Sequence, residues 1–340
     1  MRHLFFVHSS ITRHLADAIV KHERLDPAAV FYLLDRGMEL PEAAGRTLDV
    51  RDWTWRNLAG TAHNWRQLRR LDEFLAQAVG GAFRFYPPHH ITATLRAVLS
   101  HPLARSFAYA EEGIGSYSSP AQLAAAFPPA QLSWPARVAQ RIKFRGRIAP
   151  RSVFFYPEDA RYRGAYALHP AAFPSLPQVR VLPLPFPPAP GWAQVRHVWA
   201  PSPLAEFRVC DRTTQLRLTE GLIRYWLDHQ TATVHVKYHP RQLQSDGMAP
   251  VFRALFGRFA DRLNIIELPP QISLESLALS SRATFYTGTS SAGFYALLCG
   301  CAVKSYARDL TALVPAFQQT LNRMPGHFIQ HVDHLQLELP

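Results

Sequence analysis

The sequence has no long apolar run that would suggest a membrane span or a signal peptide. No stretch of its 340 residues approaches the ~20 apolar residues that a membrane-spanning helix needs. The apolar part of the N-terminal stretch MRHLFFVHSS is too short for the core of a signal peptide, and no small-residue cleavage site follows it. We therefore expect a cytoplasmic protein whose first segment is a buried strand.

Cysteine is scarce, and the histidines form no recognisable metal motif. Cys210, Cys299 and Cys301 have neither metal-ligand spacing nor the even number that a disulfide framework needs. The chain has 16 histidines but no His-Glu-x-x-His motif, and the adjacent His89 and His90 are poorly placed to bind one ion. The sequence therefore predicts a reducing compartment and no metal site.

The common phosphate-binding and nucleophile motifs are also missing. Neither the P-loop pattern G-x-x-x-x-G-K-[ST] nor the dinucleotide pattern G-x-G-x-x-G occurs. The segment GTSSAG, which begins at Gly288, does not place a serine between glycines spaced as in the hydrolase motif G-x-S-x-G. The sequence therefore gives no motif evidence for a P-loop, for a dinucleotide-binding loop of that pattern or for a nucleophile elbow.

Positive charge exceeds negative charge. The chain has 37 Lys and Arg residues against 25 Asp and Glu residues, which gives a formal net charge of +12. Such a balance indicates anionic partners, namely nucleic acid, acidic lipid or phosphorylated small molecules. The densest basic cluster, residues 136–147, interleaves apolar and basic residues, so it is either a solvated helix face or a peripheral contact with an anionic inner membrane.

Short apolar runs alternate with helical patterns through the first half of the chain. Strands are predicted at HLFFV, AVFYLL, AFRFYPP and SFAYA, and helices at ITRHLADAIVKH, TWRNLAGTAHNWRQLRRLDEFLAQAV and ITATLRAVLSH. The proline-rich segment 182–205 is expected to resist both helix and central strand, so we interpret it as the connection between two domains.

The same alternation resumes in the second half. Strands are predicted at TVHVKYHP, NIIELP, ATFYTG and, last, AVKSYA, and helices at VFRALFGRFADRL, SLESLALS and SSAGFYALLCG. This predicts an α/β protein with two Rossmann-like domains, residues 1–190 and 191–340, that face each other across a deep cleft. The C-terminal helix is expected to pack back on the first domain.

Two adjacent carboxylates, Glu111 and Glu112, follow the predicted strand SFAYA and precede Gly113. Because ligands bind beyond the carboxyl ends of strands in open α/β sheets, the pair is either a catalytic base at the rim of a cleft or part of a solvated loop. Each carboxylate is expected to raise the pKa of its neighbour toward that of a useful base. Other candidate residues on this side of the cleft are His8, Ser9, Ser10, Gly113 and Tyr117.

Loops of the second half carry polar residues suited to a phosphate. His239 follows a predicted strand that ends at Tyr238, and Pro240 prevents the ladder from continuing, so the imidazole is either a phosphate donor or a packing group. Ser290 and Ser291 begin a helix, where hydroxyls and free N–H groups bind phosphate or cap the helix.

A third loop of the second half is suited to a ribose. Glu275 lies in the first turn of a helix that Ser273 is expected to cap, so its carboxylate either complements the helix dipole or accepts both hydroxyls of a ribose. The other candidate residues in the loops of the second half are Lys237, Pro240, Arg241, Gly288 and Thr289.

The order of these short motifs resembles that of the bacterial sialyltransferases and polysialyltransferases of GT-B fold. That family carries an acidic-acidic-glycine motif, a His-Pro motif and a serine motif, which match Glu111-Glu112-Gly113, His239-Pro240 and Ser290-Ser291. The segment YAEEGIGSY looks most like the polysialyltransferase and lipooligosaccharide sialyltransferase branches. The resemblance implies a CMP-sialic acid donor, a glycan or glycolipid acceptor, and neither a cofactor nor a metal.

The resemblance also implies a division of roles. A glutamate would remove the proton of the acceptor hydroxyl, and we favour Glu112 over Glu111 because it adjoins the glycine. His239 and the hydroxyls of Ser290 and Ser291 would stabilise the departing CMP phosphate, and Glu275 would hold the CMP ribose. Transfer is expected to invert the configuration of the sugar.

Two alternatives remain open on the sequence. The nearer one is transfer of another CMP-activated ulosonic acid, such as Kdo, legionaminic acid or pseudaminic acid, because the motifs that bind CMP would look alike. The other is a basic nucleic-acid-binding protein, which is disfavoured because the sequence contains no aromatic-plus-basic RNA-binding pattern.

Overall fold

A computed structural model describes residues 1–128, 133–148, 153–322 and 324–339, apart from the side chain of residue 327. The chain divides into two compact units, Met1–Pro185 and Phe186–Pro340. The predicted boundary lies at residues 190 and 191, a few residues after this division. Each unit contains one sheet in which the neighbouring strands pair in parallel.

The first unit is a parallel sheet with strand order β3-β2-β1-β4-β5-β6-β7. Its strands are β1 (Arg2–Val7), β2 (Val30–Leu34), β3 (Thr47–Asp49), β4 (Phe83–Tyr86), β5 (Ala104–Ala110), β6 (Tyr162–Ala167) and β7 (Val179–Val181). Its helices are α1 (Ser10–His22), α2 (Thr61–Phe74), α3 (Ala93–Leu99), α4 (Pro120–Ala126) and α5 (Trp134–Lys143). The apolar runs predicted as strands are buried on both faces, as in other parallel sheets; the rings of Phe5 and Tyr86, for example, stack 4.1 Å apart.

The second unit is a parallel sheet with strand order β10-β9-β8-β11-β12-β13. Its strands are β8 (His197–Trp199), β9 (Thr233–Val236), β10 (Asn264–Glu267), β11 (Thr284–Thr287), β12 (Val303–Ser305) and β13 (Asp333–His334). Its helices are α6 (Arg212–Asp228), α7 (Ala249–Gly257), α8 (Leu274–Ser281), α9 (Ser291–Leu298), α10 (Ala307–Leu313), α11 (Gln318–Leu321) and α12 (Gly326–His331). Trp199 of β8 is buried against Trp226 and Phe252, which centres the core on this strand.

Three expectations about the strands were wrong. The proline-rich segment 182–205 contains β8, which pairs with β9 on one side and β11 on the other and is therefore a central strand. The predicted strand TVHVKYHP ends at Val236 instead of Tyr238, although Lys237 N still donates to Trp199 O at 3.0 Å. The segment AVKSYA is not the last strand, because β13 pairs with β12 after it.

Candidate functional site

The order of the strands fixes one edge of each sheet as the place for a site. In the first unit the chain runs from β1 outward to β3 and then returns to β4 on the other side of β1. In the second unit it runs from β8 outward to β10 and returns to β11 on the other side of β8. Ligands of open α/β sheets bind at such reversals, beyond the carboxyl ends of the strands. The loops after β1 and β4, and after β8 and β11, are therefore the expected positions of ligand-binding residues.

In the first unit this edge carries a cluster of His8, His89 and Glu112. His8 follows β1, His89 follows β4 and Glu112 follows β5. The Nε2 atom of His8 lies 3.2 Å from Oε2 of Glu112, and the Nε2 atom of His89 lies 3.6 Å from Oε1 of the same carboxylate. The side chain of Glu112 retains 17% exposure, so part of this side chain reaches solvent. We call these three residues the His-Glu cluster.

Glu111 is in a different environment from its neighbour. Its side chain is fully buried, accepting from Tyr117 Oη and from the backbone N of Leu168, each at 2.7 Å. Burial, and then the charge of Glu111, raise the pKa of the Tyr117 phenol, so Tyr117 remains a proton donor to this carboxylate. Since successive residues of an extended chain point to opposite sides, the pair splits into one fully buried and one partly exposed side chain.

The expectation that the two carboxylates raise each other's pKa was wrong for Glu112. Burial acts to raise its pKa, but the hydrogen bond from His8 and the charges of His89, His8 and Arg36 outweigh it and lower the pKa below its usual range. Burial lowers the pKa of His89 against the opposing effect of Glu112. Glu112 is therefore ionised at neutral pH, and its partners are the two imidazoles instead of Glu111.

Two local features hold the His-Glu cluster. Ser9 caps α1 through a reciprocal pair of bonds with Thr12, and the Thr12 hydroxyl also accepts from the backbone N of His8 at 3.0 Å. Gly113 has φ of +143° and ψ of −156°, a conformation that side chains rarely adopt, so glycine is required directly after the acidic pair. Ser10 is the first residue of α1, next to this cap.

The lowered pKa of Glu112 predicts how stability depends on pH. A carboxylate with a folded-state pKa below its unfolded value of about 4.5 stabilises the fold above that value, and the contribution is lost as the pH falls through the folded-state pKa. We expect the difference in unfolding free energy between the wild type and Glu112→Gln to shrink as the pH is lowered below 4.5.

Urea unfolding of both proteins between neutral and acidic pH measures this difference. Glu42→Gln is the control, because Glu42 pairs with Arg13 at the surface and is 60% exposed. A gap that widened as the pH fell below 4.5 would mean that the pKa of Glu112 is raised instead.

In the second unit the loop after β11 leads into α9. Ser290 caps this helix, its Oγ accepting from Ala292 N at 3.2 Å, and Ser291 is the first helical residue. Both serines and the preceding Thr289 are half-buried. A helix start with nearby hydroxyls favours an anion through its unpaired N–H groups and its dipole.

Two glycines allow this loop and helix to pack closely. A Cβ at Gly288 would lie 3.2 Å from Ser202 Oγ in the loop after β8, and one at Gly293 would lie 2.6 Å from a methyl group of Thr287. The start of α9 is therefore packed directly against the end of β11. The loops after β8 and β11 meet at Gly288, which is where the strand order reverses.

The His-Pro segment forms a tight turn that is tied to the same place. His239 precedes the turn Pro240–Leu243, and its Nδ1 accepts from Arg241 N at 3.2 Å, which leaves the imidazole proton on Nε2. The fully buried Gln242 accepts from His239 N at 2.9 Å and donates to Ser202 O at 3.3 Å. The His-Pro turn and the serine-containing loop are therefore connected through the loop that carries Ser202.

Glu275 and Lys237 lie at the neighbouring strand ends. Glu275 is 6% exposed and accepts from Ser273 Oγ at 2.5 Å, and Ser273 caps α8 as the sequence predicts. Lys237 Nζ donates to the carbonyls of Pro269 and Pro270 at 2.8 and 2.6 Å. Burial lowers the pKa of Lys237 to about 8, while Glu275 raises it. These contacts order the loop between β10 and α8.

The predicted residues thus fall into two groups, one in each unit. Arg241 is exposed and donates to Gln244, and Tyr117 supports Glu111.

Sequence reasoning missed His89, Gln242 and Ser202. His89 and Ser202 follow strands, as the other candidates do. His89 is separated from its strand by two prolines, and Ser202 follows a strand that was not predicted. Gln242 carries no sequence signal.

Within residues 1–128, 133–148, 153–322 and 324–339, no group of three or more His, Cys, Asp or Glu side chains is arranged to hold a metal ion. In the same ranges, no helix combines the length and the apolar character needed to cross a bilayer.

Comparison with known proteins identifies a fold but no family. Neither a protein-family model nor a curated protein matches the chain. The structure of UDP-GlcNAc 2-epimerase from Methanocaldococcus jannaschii is similar over 95% of this chain and 91% of that chain, with 11% identity and a TM-score of 0.50. The wall teichoic acid polymerase TagF is similar over 98% of this chain and 76% of that chain, with 10% identity and a TM-score of 0.48.

At such low identity the likeness concerns the fold alone. Together with the two parallel sheets, the likeness to the epimerase confirms the predicted fold class: an α/β chain of two Rossmann-like units with the GT-B architecture. The substrates named for the two similar proteins are properties of those proteins.

Proposed function

We propose that the protein is a glycosyltransferase that moves a sialic acid from a CMP-activated donor to a hydroxyl of a glycan acceptor. The observation that carries the proposal is the second unit's group of His239, Gln242, Ser202 and the serine-capped start of α9. It combines an imidazole N–H, hydroxyls and a helix N-terminus at the reversal of the strand order. These are groups that bind a phosphate, and the fold is one in which nucleotides bind at that edge.

In the proposed reaction Glu112 removes the proton of the acceptor hydroxyl. The acceptor oxygen then bonds to the anomeric carbon of the sugar from the face opposite the CMP group. The bond from that carbon to the phosphate oxygen breaks, and its electron pair leaves with CMP. The sugar passes through an oxocarbenium-like state, and its configuration is inverted. No metal is required by this proposal.

The environment of the two carboxylates supports Glu112 as the base. Its carboxylate is ionised, its side chain is partly exposed, and His8 and His89 hold its two oxygens. Glu111 has both carboxylate oxygens occupied inside the unit. Because a lowered pKa makes Glu112 a weaker base, we expect its contribution to lie toward the low end of the ~10²–10⁴-fold range of general-base catalysis.

On the donor side the proposal assigns the departing phosphate to His239. Because Nδ1 accepts from Arg241 N, the imidazole carries its proton on Nε2, which is the atom proposed to donate to the phosphate. Ser290, Ser291 and Thr289 add hydroxyls, and Gly288 permits the close approach of the loops. Glu275 is proposed to accept the ribose hydroxyls, with Lys237 and Pro240 shaping the loops on either side. His8, Ser9, Ser10 and Gly113 are proposed to line the acceptor position.

CMP binding is the first test of this proposal. If CMP binds the native state alone and is present at about a hundredfold excess over its Kd, it should stabilise the fold by ~2.7 kcal/mol. We expect a clear rise in Tm with CMP and a smaller rise with UMP, measured by thermal unfolding. An unchanged Tm in millimolar CMP and CDP would contradict a CMP site.

A further inference from the structure

Helix α5 turns its largest apolar side chains toward solvent. Trp134, Val138 and Ile142 are 69%, 38% and 50% exposed. They are spaced four residues apart and therefore form one row along the helix. The more buried side of α5 carries the smaller Ala136 and Ala139 instead. This is the reverse of an ordinary surface helix, whose apolar row faces the core.

The orientation of α5 is fixed by its contacts with α2. Trp65 of α2 donates its indole N–H to Ile142 O at 3.1 Å, and the guanidinium of Arg145 lies 4.6 Å from the centre of the Trp65 ring. Just beyond the helix, Arg147 forms an ion pair with Asp72 of α2. The exposed row is therefore held in place on the surface of the first unit.

Arginines border this apolar row. Arg137 and Arg141 are exposed and, by their spacing, lie beside Trp134, Val138 and Ile142 on the outward side of α5. Arg145 follows at the end of the helix. Within the described ranges, no carboxylate forms an ion pair with any of these three arginines. Exposed arginines at positions 66, 69 and 70 continue the positive surface along α2.

We propose that this surface, which we call the α5 patch (Trp134, Arg137, Val138, Arg141, Ile142 and Arg145), binds an anionic lipid bilayer. The helix lies in the plane of the interface, with its apolar row among the acyl chains and its arginines at the phosphates. Ten residues of helix extend about 15 Å, which is too short to cross the bilayer and suited to lying on it.

The side chains favour a bilayer over other anionic partners. A nucleic-acid surface would use the arginines but would leave the aliphatic Val138 and Ile142 without a partner. Tryptophan beside arginine is the combination that partitions to the boundary between headgroups and acyl chains. The inference is independent of the proposed transfer reaction, because vesicle binding requires neither donor nor acceptor.

Cosedimentation with vesicles tests the proposal on the full chain. Vesicles of phosphatidylcholine with roughly one third phosphatidylglycerol are compared with vesicles of phosphatidylcholine alone. We expect binding to the anionic vesicles, and weaker binding as the salt is raised from ~0.1 M to ~1 M. Replacing Arg137, Arg141 and Arg145 by Glu should lower the partition coefficient by roughly 100-fold or more, because each arginine near an anionic surface contributes about 1 kcal/mol to binding.

Two further variants separate the contributions. Trp134→Ser with Ile142→Ser removes the apolar row while keeping the charge, and it should also release the protein from anionic vesicles. A control triple substitution to Glu at Arg105, Arg258 and Arg262 makes the same change in net charge at exposed positions elsewhere, and it should bind like the wild type. Near-ultraviolet circular dichroism and Tm establish that each variant is folded.

Several results would overturn the proposal. They are an absence of wild-type binding to anionic vesicles, equal loss of binding in the control triple variant, or unaltered binding of the two α5 variants. Binding to duplex DNA or RNA that required the same arginines, without binding to vesicles, would assign the α5 patch to nucleic acid.

Discussion

Glu112→Gln should abolish most transfer while leaving CMP binding intact and the protein folded, although less stable, at neutral pH. Glutamine keeps the size of the side chain and its contacts with His8 and His89, but it cannot accept the proton of the acceptor hydroxyl. We expect turnover to fall by ~10²-fold or more, within the range of general-base catalysis. Single-turnover transfer, measured beside the CMP-induced rise in Tm, separates loss of chemistry from loss of binding.

Glu111→Gln is the matched control and should lower stability while leaving turnover nearly unchanged. Its carboxylate accepts two hydrogen bonds in a fully buried position, so an amide there weakens the contacts with Tyr117 and Leu168. We expect a loss of about 1–3 kcal/mol of stability and near-normal turnover per folded molecule. Loss of turnover in Glu111→Gln with normal turnover in Glu112→Gln would reverse the assignment. Full activity in both would remove the acidic pair from the mechanism.

His239→Asn should lower turnover with little effect on folding. An asparagine side-chain oxygen can still accept from Arg241 N, as Nδ1 of His239 does, so the turn keeps its cap. The variant lacks the Nε2 donor proposed for the departing phosphate. By analogy with the loss of one oxyanion donor, the barrier should rise by ~2.7–4 kcal/mol. His239→Ala should lose the same turnover together with some stability.

His235→Ala is the control for His239. His235 lies in β9, is half-buried and contacts the ring of Trp192, so its replacement should lower Tm without changing turnover per folded molecule. Kinetics and thermal unfolding are to be measured on the same preparations. A drop in stability with unchanged turnover for His239→Ala and His239→Asn would make His239 a structural residue.

The sequence predicts β1, β2, β4 and β5 from their apolar runs, but it does not predict β6, whose sequence YRGAYA contains an arginine and a glycine. β1, β2, β4 and β5 each contain at least four residues and are buried on both faces, so their composition is distinct. β8 has only three residues, and prolines precede and follow it. A proline cannot donate a backbone hydrogen bond to a neighbouring strand, but residues between two prolines can still form a short strand. This is why the predicted linker contains a central strand.

The positions of the candidate residues could be predicted from one rule, that ligand-binding residues follow strands. The contacts and pKa values of these residues could not be predicted from it. Glu112, His239 and Ser290 were chosen because each follows a strand, and the structure places each at the carboxyl edge of its sheet. The pKa of Glu112 depends on His8 and His89, which approach it from two other strands. Contacts between residues so far apart in the chain are set by strand order, which single-sequence patterns do not contain.

The measurement that tests the central claim most directly is release of CMP from a panel of CMP-activated ulosonic acids by the wild-type protein. CMP-sialic acid, CMP-Kdo and the CMP derivatives of legionaminic and pseudaminic acid are compared, each with and without a glycan acceptor. Our account predicts acceptor-dependent CMP release from CMP-sialic acid that fails in Glu112→Gln and in His239→Asn. Preference for another member of the panel would change the sugar and keep the reaction, whereas no CMP release from any of them would contradict the account.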